Sequence, residues 1–315
     1  MYDGLTLSSF LARWRPFLEG SKVIDLVILD ACDRETNAGL EEELRRGAAT
    51  VLVLSRQGRE RELVFVNPGA RAGLFLWQKS GLRRAKPHSR RRRQEAAFLR
   101  RRLAGAVLLS TRQHGRDRVV SLELAGSDEL GEPLDLALHV CLTGRRANLV
   151  LESAGRVVNA WRPGPRYGEP FRPAKSGAAT VGEYLEGRRE GTLAPRRKRS
   201  LAGELVAGVD GISSTAVAEL FRRVGLAPDV VCEQLDAEVL RRLAAESDRL
   251  IASAGEVRFH PAERVLSCLP LAGLGGSRPA TEEDEAALVA HLEREHRREA
   301  LVARLQTELN RMAGR

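Results

Sequence analysis

Aromatic residues make up only 4% of this 315-residue chain. That scarcity argues against a surface that reads nucleic acid by stacking many bases on rings. The four cysteines, Cys32, Cys141, Cys232 and Cys268, stand far apart, and none lies at zinc-knuckle spacing from a histidine. No compact zinc site is therefore expected, and isolated buried thiols in a reducing compartment are. No apolar run approaches the roughly 18 residues of a membrane span. The opening residues carry neither a basic stretch nor an apolar core of signal-peptide length, so a cytoplasmic protein is expected. Catalytic signatures are missing too. There is no phosphate loop ending in Gly-Lys-Ser/Thr, no Gly-x-Ser-x-Gly, and no His-Glu-x-x-His among the six histidines, so no enzyme and no cofactor or metal is expected. His139, in an alternating stretch, reads as structural, and Asp128 and Glu129 read as turn residues.

What the chain has in excess is positive charge. Its formal net charge is +9 and its pI is near 10.0. Residues 83–102 hold ten Lys or Arg against one acid, Glu95, so this stretch alone accounts for the whole excess. Focused positive charge attracts phosphate polymers and other anionic partners, with RNA, DNA and acidic lipid as the options. A solubilising arm is the plainer alternative. The run leads into Phe98, Leu99 and Leu103, which suits a helix packed on a core with arginines, including Arg100, Arg101 and Arg102, on its outer side. Hydrophobic content of 43% is enough for packed cores, and the length suits two domains of about 150 residues each.

Patterning along the chain predicts an α+β protein. Leu7, Phe10, Leu11, Trp14 and Leu18 fall at helical spacing over residues 5–19, and Gly20 is a stop signal. Val23 to Leu29 suits a buried strand. Residues 50–54 and 63–66 read as a hairpin about a polar turn at 56–59, and 74–77 as one more strand. Stretches 118–124, 134–142 and 148–152 alternate between polar and apolar residues, as antiparallel strands with one buried face do. From 162 the composition shifts to Pro, Gly and Arg. The domains are thus read as 1–172, an α+β domain; 173–200, a linker or extended arm; 201–272, a helical domain; and 281–315, one arm of a coiled coil whose seam needs a returning helix or a second chain.

Three segments carry candidate chemistry. Leu205 to Leu220 has the form of a helix-hairpin-helix, with Gly208 and Gly211 about a tight turn and Ser213 positioned to cap the second helix. Glycines let a phosphate approach the backbone, and the amides of a helix start point toward it. A plain helical hairpin with a glycine cap fits equally. Nearby Arg222 and Arg223 favour the phosphate reading. Gly144, Arg145, Arg146 and Asn148 lie between two strands, where arginines and an amide can contact phosphates or base edges. Asp117 and Arg118 open a strand, as a surface ion pair or as an arginine oriented toward a ligand.

Taken in order, these segments resemble the NFACT family, which includes bacterial proteins once called fibronectin-binding protein A and the tail-synthesising subunits of ribosome quality control. The resemblance rests on Asp3-Gly4-Leu5-Thr6 and its helix, Arg100-Arg101-Arg102-Leu103-Ala104-Gly105, Asp117-Arg118-Val119-Val120, Asp128-Glu129-Leu130-Gly131, the loop Thr143-Gly144-Arg145-Arg146-Ala147-Asn148-Leu149-Val150, and the hairpin at Gly208 to Ser213. Arg146 and Ala147 stand where the family has His and Ser. The resemblance implies an NFACT-N domain, a helix-hairpin-helix and the start of a coiled coil. It also implies binding to tRNA and the large ribosomal subunit in rescue of stalled nascent chains, with Asp117 and Arg118 nearest the tRNA. The chain ends where the family's coiled coil turns back, so tailing itself is not expected. The older family name implies, as an alternative, an adhesin-like or general protein-interaction module. A third reading follows from the family domain's similarity to formamidopyrimidine-DNA glycosylases, although Tyr2-Asp3 replaces their proline and glutamate. All of this assumes that the arginines of 83–102 form one surface with Asp117 and the turn at Asn148.

Overall fold

The computed structural model describes residues 3–29, 49–66, 72–78, 90–143, 147–162, 164–173, 180–193 and 200–291, with Arg294, Glu295, Arg298, Val302 and Gln306 helical beyond them. The expected α+β class holds. Nine antiparallel strands form one sheet in the order β4-β3-β2-β1-β5-β6-β7-β8-β9. They are β1 (Lys22–Leu29), β2 (Ala49–Arg56), β3 (Arg59–Val66), β4 (Gly73–Trp77), β5 (Val107–Gln113), β6 (Val119–Ser127), β7 (Pro133–Cys141), β8 (Asn148–Ser153) and β9 (Arg156–Ala160). The two halves join narrowly. β1 meets β5 at the single pair Lys22–Val107, reinforced by backbone bonds between Val23 and the 105–106 turn. The sheet then curls until Phe65 of β3 meets Trp161, just past β9, edge to face at 5.2 Å.

Strand alternation decides which residues line the interior. On β6, β7 and β8 the inward set is Val120, Leu122, Leu124, Leu136, Leu138, Val140, Leu149 and Leu151, all buried. The outward set on the same strands is Val119, Ser121, Glu123, His139, Cys141, Asn148, Val150 and Glu152, and the register brings Ser121 beside His139 and His139 beside Val150. Each fully buried inward leucine contributes about 1.5–3 kcal/mol of hydrophobic stabilisation, which holds the register against a one-residue slip.

Helix α1 (Gly4–Leu18) is capped by Asp3 and buries Leu7, Phe10, Leu11, Trp14 and Leu18. The second half of the charged run becomes a helix, α2 (Arg90–Leu103), which buries Ala96, Leu99 and Leu103 at spacings of three and four; residues 83–89 lie outside the described residues. The stretch read as a linker is more structured than its composition suggests. Residues 164–173 lie back along the sheet, and Thr180 caps a helix, α3 (Val181–Arg189), that buries Val181, Tyr184 and Leu185. A threonine cap followed by Glu183 is a helix start that the surrounding Pro, Gly and Arg content hid.

Two short helices, α4 (Leu201–Gly208) and α5 (Ser214–Val224), are joined by residues 209–213, and α6 (Ala237–Ala252) packs against α5 and α3. A small sheet of β10 (Arg258–His260), β11 (Val265–Ser267) and β12 (Arg278–Pro279) follows. Residues 282–291 open the last helix, α7. Thr281 and Asp284 exchange capping bonds at its start. Its Glu285, with no exposed surface, accepts from Trp77 Nε1 at 3.0 Å and from Arg13 at 3.0 Å, which docks α7 on α1 and β4. Burial pushes the Glu285 carboxyl up to about 7, and Arg13 and Trp77 only partly oppose it.

Candidate functional site

Three backbones cross beside Asp117. The start of α1, the 209–213 link and the turn at 114–118 approach so closely that only glycines fit. A Cβ on Gly4 would stand 1.8 Å from the Arg116 carbonyl oxygen, and one on Gly211, at φ +72°, would stand 2.3 Å from it. Gln113 braces the junction by donating from Nε2 to the carbonyls of Gly4 and Asp117, both at 2.8 Å. Asp3 completes it. Its Oδ1 accepts from the Thr6 amide at 2.9 Å, and its Oδ2 accepts from the Ser213 hydroxyl at 3.0 Å. Ser213 in turn accepts from the Ala216 amide at 3.1 Å. One carboxylate thus ties the first turns of two helices together.

The turn held there presents the Asp-Arg pair. The Asp117 carboxylate accepts from the Arg118 amide at 2.6 Å. The Arg118 carbonyl pairs with the Leu142 amide at 2.8 Å. Among the described residues the half-buried Arg118 guanidinium has no hydrogen-bond or ion-pair partner.

Next to this turn a cleft of about 620 Å³ opens on the outward face of the sheet. Val119, Cys141, Asn148 and Val150 form its floor, and the strap of residues 164–173 forms its wall, bringing Arg166, Phe171 and Arg172 to the rim together with Arg162. Arg172 is exposed without a partner among the described residues, and Arg166 faces Glu169 at 3.4 Å. The strap is fastened at several points. Gly168 donates to the Val157 carbonyl and Val157 to that of Glu169, both at 2.9 Å. Phe171 stacks on the His139 ring at 4.1 Å and donates its amide to Glu152 Oε1. Cys141 is a poor nucleophile here, because burial, helped by the charge of Asp117, pushes its thiol up to about 12.

Behind the strap runs a buried polar chain. His114 Nε2 lies 2.6 Å from Ser121 Oγ, Ser121 Oγ 2.7 Å from His139 Nδ1, and His139 Nε2 2.7 Å from Glu152 Oε2. Burial lowers both histidines below their ordinary range. Arg112 and His139 add to the effect at His114, and Glu152 opposes it at His139.

The sequence-derived candidates divide into three groups. Asp117 and Arg118 stand in the turn that leads into Val119 at the cleft's edge, and of the three only Asn148 belongs to the lining, where it acts from within. Its Oδ1 accepts from the amides of Leu149 and Arg162, and its Nδ2 donates to the Arg162 carbonyl at 3.0 Å, so it positions Arg162. Gly144, Arg145 and Arg146 lie outside the described residues.

Arg100, Arg101 and Arg102 are elsewhere, contrary to the expectation of one continuous surface. Arg100 is held by Asp25 at 2.9 Å and the Leu26 carbonyl at 2.7 Å. Arg101 faces Glu129 at 3.6 Å, and Arg102 lies over its neighbour Phe98. Glu129 sits in the β6–β7 turn, whereas the cleft floor is at the other end of those strands, roughly 27 Å away along β6. Leu99 and Glu95 of α2 border inward-facing Leu138 and Leu149, on the opposite face from the cleft.

The third group, Gly208, Gly211 and Ser213, is engaged inside the protein. A Cβ on Gly208 would stand 2.2 Å from the Tyr184 ring, while Gly211 and Ser213 serve the crossing described above. Arg222 and Arg223, expected to favour phosphate there, instead clamp the buried Glu219. Burial alone would raise that carboxyl, but the two arginines and the Gly273 amide hold it down at about 2. Sequence reasoning missed Gln113, Phe171 and the arginines of the strap. The alternation of β6 to β8 already placed Ser121, His139 and Glu152 on one face, and that was the available signal.

The fold is that of an α+β protein with a curled antiparallel sheet followed by a helical unit. Solved structures share it, among them the following three. The fibrinogen binding protein from Staphylococcus aureus matches with a TM-score of 0.61 at 17% identity over 91% of this chain and 97% of its own. The N-terminal part of the fibronectin/fibrinogen-binding protein from Streptococcus suis gives 0.59 at 16% identity over 94% and 100%. The N-terminal domain of fibronectin-binding protein PavA from Streptococcus pneumoniae gives 0.50 at 15% over 71% and 84%. No curated protein sequence matches. The model of the family described as NFACT N-terminal and middle domains matches residues 83–288, and the chain belongs to that family.

Proposed function

We propose that this is a non-catalytic RNA-binding protein that holds tRNA at the Asp117–Arg118 turn and the neighbouring cleft, on the large ribosomal subunit, in the manner of the ribosome quality control members its sequence resembles. The observation that carries this reading is Arg118. It is a half-buried cation with no partner among the described residues, set in a turn braced from three sides and opening beside an arginine-rimmed cleft. A guanidinium held on a braced turn and not committed to a protein partner is available to an anionic ligand, to which it makes charge-assisted hydrogen bonds. Phosphates positioned by Arg118, Arg172 and Arg166, with an unstacked base against Phe171, suit single-stranded loops of a folded RNA. The hairpin at Gly208, Gly211 and Ser213 joins the helical unit to this site rather than serving as a second phosphate cradle.

A protein-interaction module remains the second reading, favoured by the three structural neighbours, which are named as fibrinogen- or fibronectin-binding proteins. A glycosylase-like reading is disfavoured. Asp3 takes the place of the catalytic glutamate of those enzymes, yet it is buried and both its carboxylate oxygens are engaged in capping.

The deciding experiment is a binding titration with mixed tRNA, duplex DNA, fibronectin and purified large ribosomal subunits. The proposal expects tRNA and subunit binding that weakens with salt, with a log–log slope of about −0.7 to −0.9 per phosphate contact. Binding to fibronectin alone, insensitive to salt, refutes it, and so does cleavage of duplex DNA.

A further inference from the structure

We propose that His114, Ser121, His139 and Glu152 form a proton-sensitive clasp that fastens the 164–173 strap forming the cleft wall and releases it when both histidines become protonated. This regulation rests on the cleft being the RNA-contacting site.

The chain of contacts has a direction. With both histidines neutral and Glu152 ionised, His114 Nε2–H donates to Ser121 Oγ, the Ser121 hydroxyl donates to His139 Nδ1, and His139 Nε2–H donates to Glu152 Oε2. The remaining Glu152 oxygen accepts the Phe171 amide. Every buried donor and acceptor in the chain is matched, and its end is the strap.

One proton on His139 turns the chain around. Its Nδ1 becomes a donor, Ser121 must donate the other way, and His114 must switch tautomer. A second proton, on His114, leaves two imidazolium groups donating to one hydroxyl, whose own hydrogen then has no acceptor. The two rings are 6.5 Å apart, centre to centre, with Arg112 acting on both.

The charged surroundings are few. Glu152 and Glu123 favour a cation at His139, and Asp117 favours one at His114. Arg112 opposes both, and from the strap the uncharged Phe171 ring stacks on His139 while Arg166, Glu169 and Arg172 line the cleft. His139 is buried, so its desolvation outweighs Glu152, and both histidines sit below their ordinary range. A histidine whose folded value is lowered binds protons better once released. Acidification below about 6.5 therefore favours the open strap. His114 belongs to the same turn as Asp117 and Arg118, so the clasp joins the turn to the cleft wall.

The test is amide hydrogen exchange of the intact chain, without RNA, from about pH 7.5 to about pH 5, corrected for intrinsic rates. The Gly168 and Phe171 amides are expected to lose protection by about tenfold or more over this range, while amides of the β2–β3 hairpin hold theirs. His139→Gln removes the titrating ring, so low and pH-independent protection is expected. Ser121→Ala separates His114 from His139 and is expected to shift the midpoint of the wild-type change. A flat wild-type profile overturns the clasp, as does an equal pH-dependent loss in His139→Gln. Salt-sensitive tRNA binding with a flat exchange profile removes the clasp and leaves the RNA reading standing. A pH-dependent strap in a chain that binds no RNA does the reverse.

Discussion

Two arginine-bearing regions of this molecule look alike in sequence and differ in structure. At the end of α2, Arg100 to Arg102 sit in a dense basic run, yet they answer to local groups. Asp25 and the Leu26 carbonyl hold the first, Glu129 faces the second and Phe98 lies under the third. At the 114–118 turn Arg116 and Arg118 flank a single acid, Asp117, and Arg118 stands without a partner among the described residues on a turn braced by close backbone contacts. Local charge density and the availability of a cation are therefore different properties, and the proposed site rests on the second.

The comparison can be tested at its supports first. Gly4→Ala places a methyl group on the Arg116 carbonyl oxygen, where backbone must move on both sides, and is expected to lower unfolding stability by about 4 kcal/mol in denaturant titration. Its counterpart near α2, Gly126→Ala, meets only the end of the Leu136 side chain at 2.9 Å, and a cost below about 1 kcal/mol is expected. Equal costs would mean that the crossing at Gly4 is no more rigid than the α2 side.

The next largest effect lies at the other end of α1, where Glu285 docks α7. Its carboxyl is raised to about 7, above its unfolded value, so the folded state binds the proton more tightly. The stability contributed by that proton is complete at low pH and is lost as pH rises from about 4.5 through about 7, on the order of 3 kcal/mol. Glu285→Gln should flatten this dependence in thermal melts at pH 5.5 and 8.5. An unchanged profile would show that the acid is not the group responsible.

A smaller, direct contrast pits the two arginine regions against each other. Arg118→Ala is expected to weaken tRNA binding about tenfold with no change in melting temperature, whereas Arg101→Ala should change it less than about twofold. Similar losses would restore one shared basic surface.

Much of the sheet was legible beforehand because alternation is a local signal. The strands at 118–124, 134–142 and 148–152 could be read, and with them the shared face of Ser121, His139 and Glu152. The 56–59 turn and the helix over 5–19 were equally plain. The candidate site was only half legible. Asp117 and Arg118 stood out, but the wall of their cleft was concealed in a Pro- and Gly-rich stretch whose order comes from one phenylalanine and a few backbone bonds. The roles of Gly4 and Gly211 had no local signature either, since each is required by a carbonyl more than ninety positions away in sequence. The partners of Arg100 to Arg102 were hidden for the converse reason: a count of charges does not report which ones already have partners.

The double cap at Asp3 has a consequence for biosynthesis. Its second helix partner, Ser213, lies 210 positions later. At ordinary translation speeds Ser213 is added roughly ten to forty seconds after Asp3. Throughout that interval the nascent N-terminal half has a helix start with one contact missing and a crossing with one backbone absent. A chaperone or protease inspecting the growing polypeptide would meet the 114–118 turn in a loosened form, and maturation of that turn would wait on Gly211, made 95 residues after Arg116.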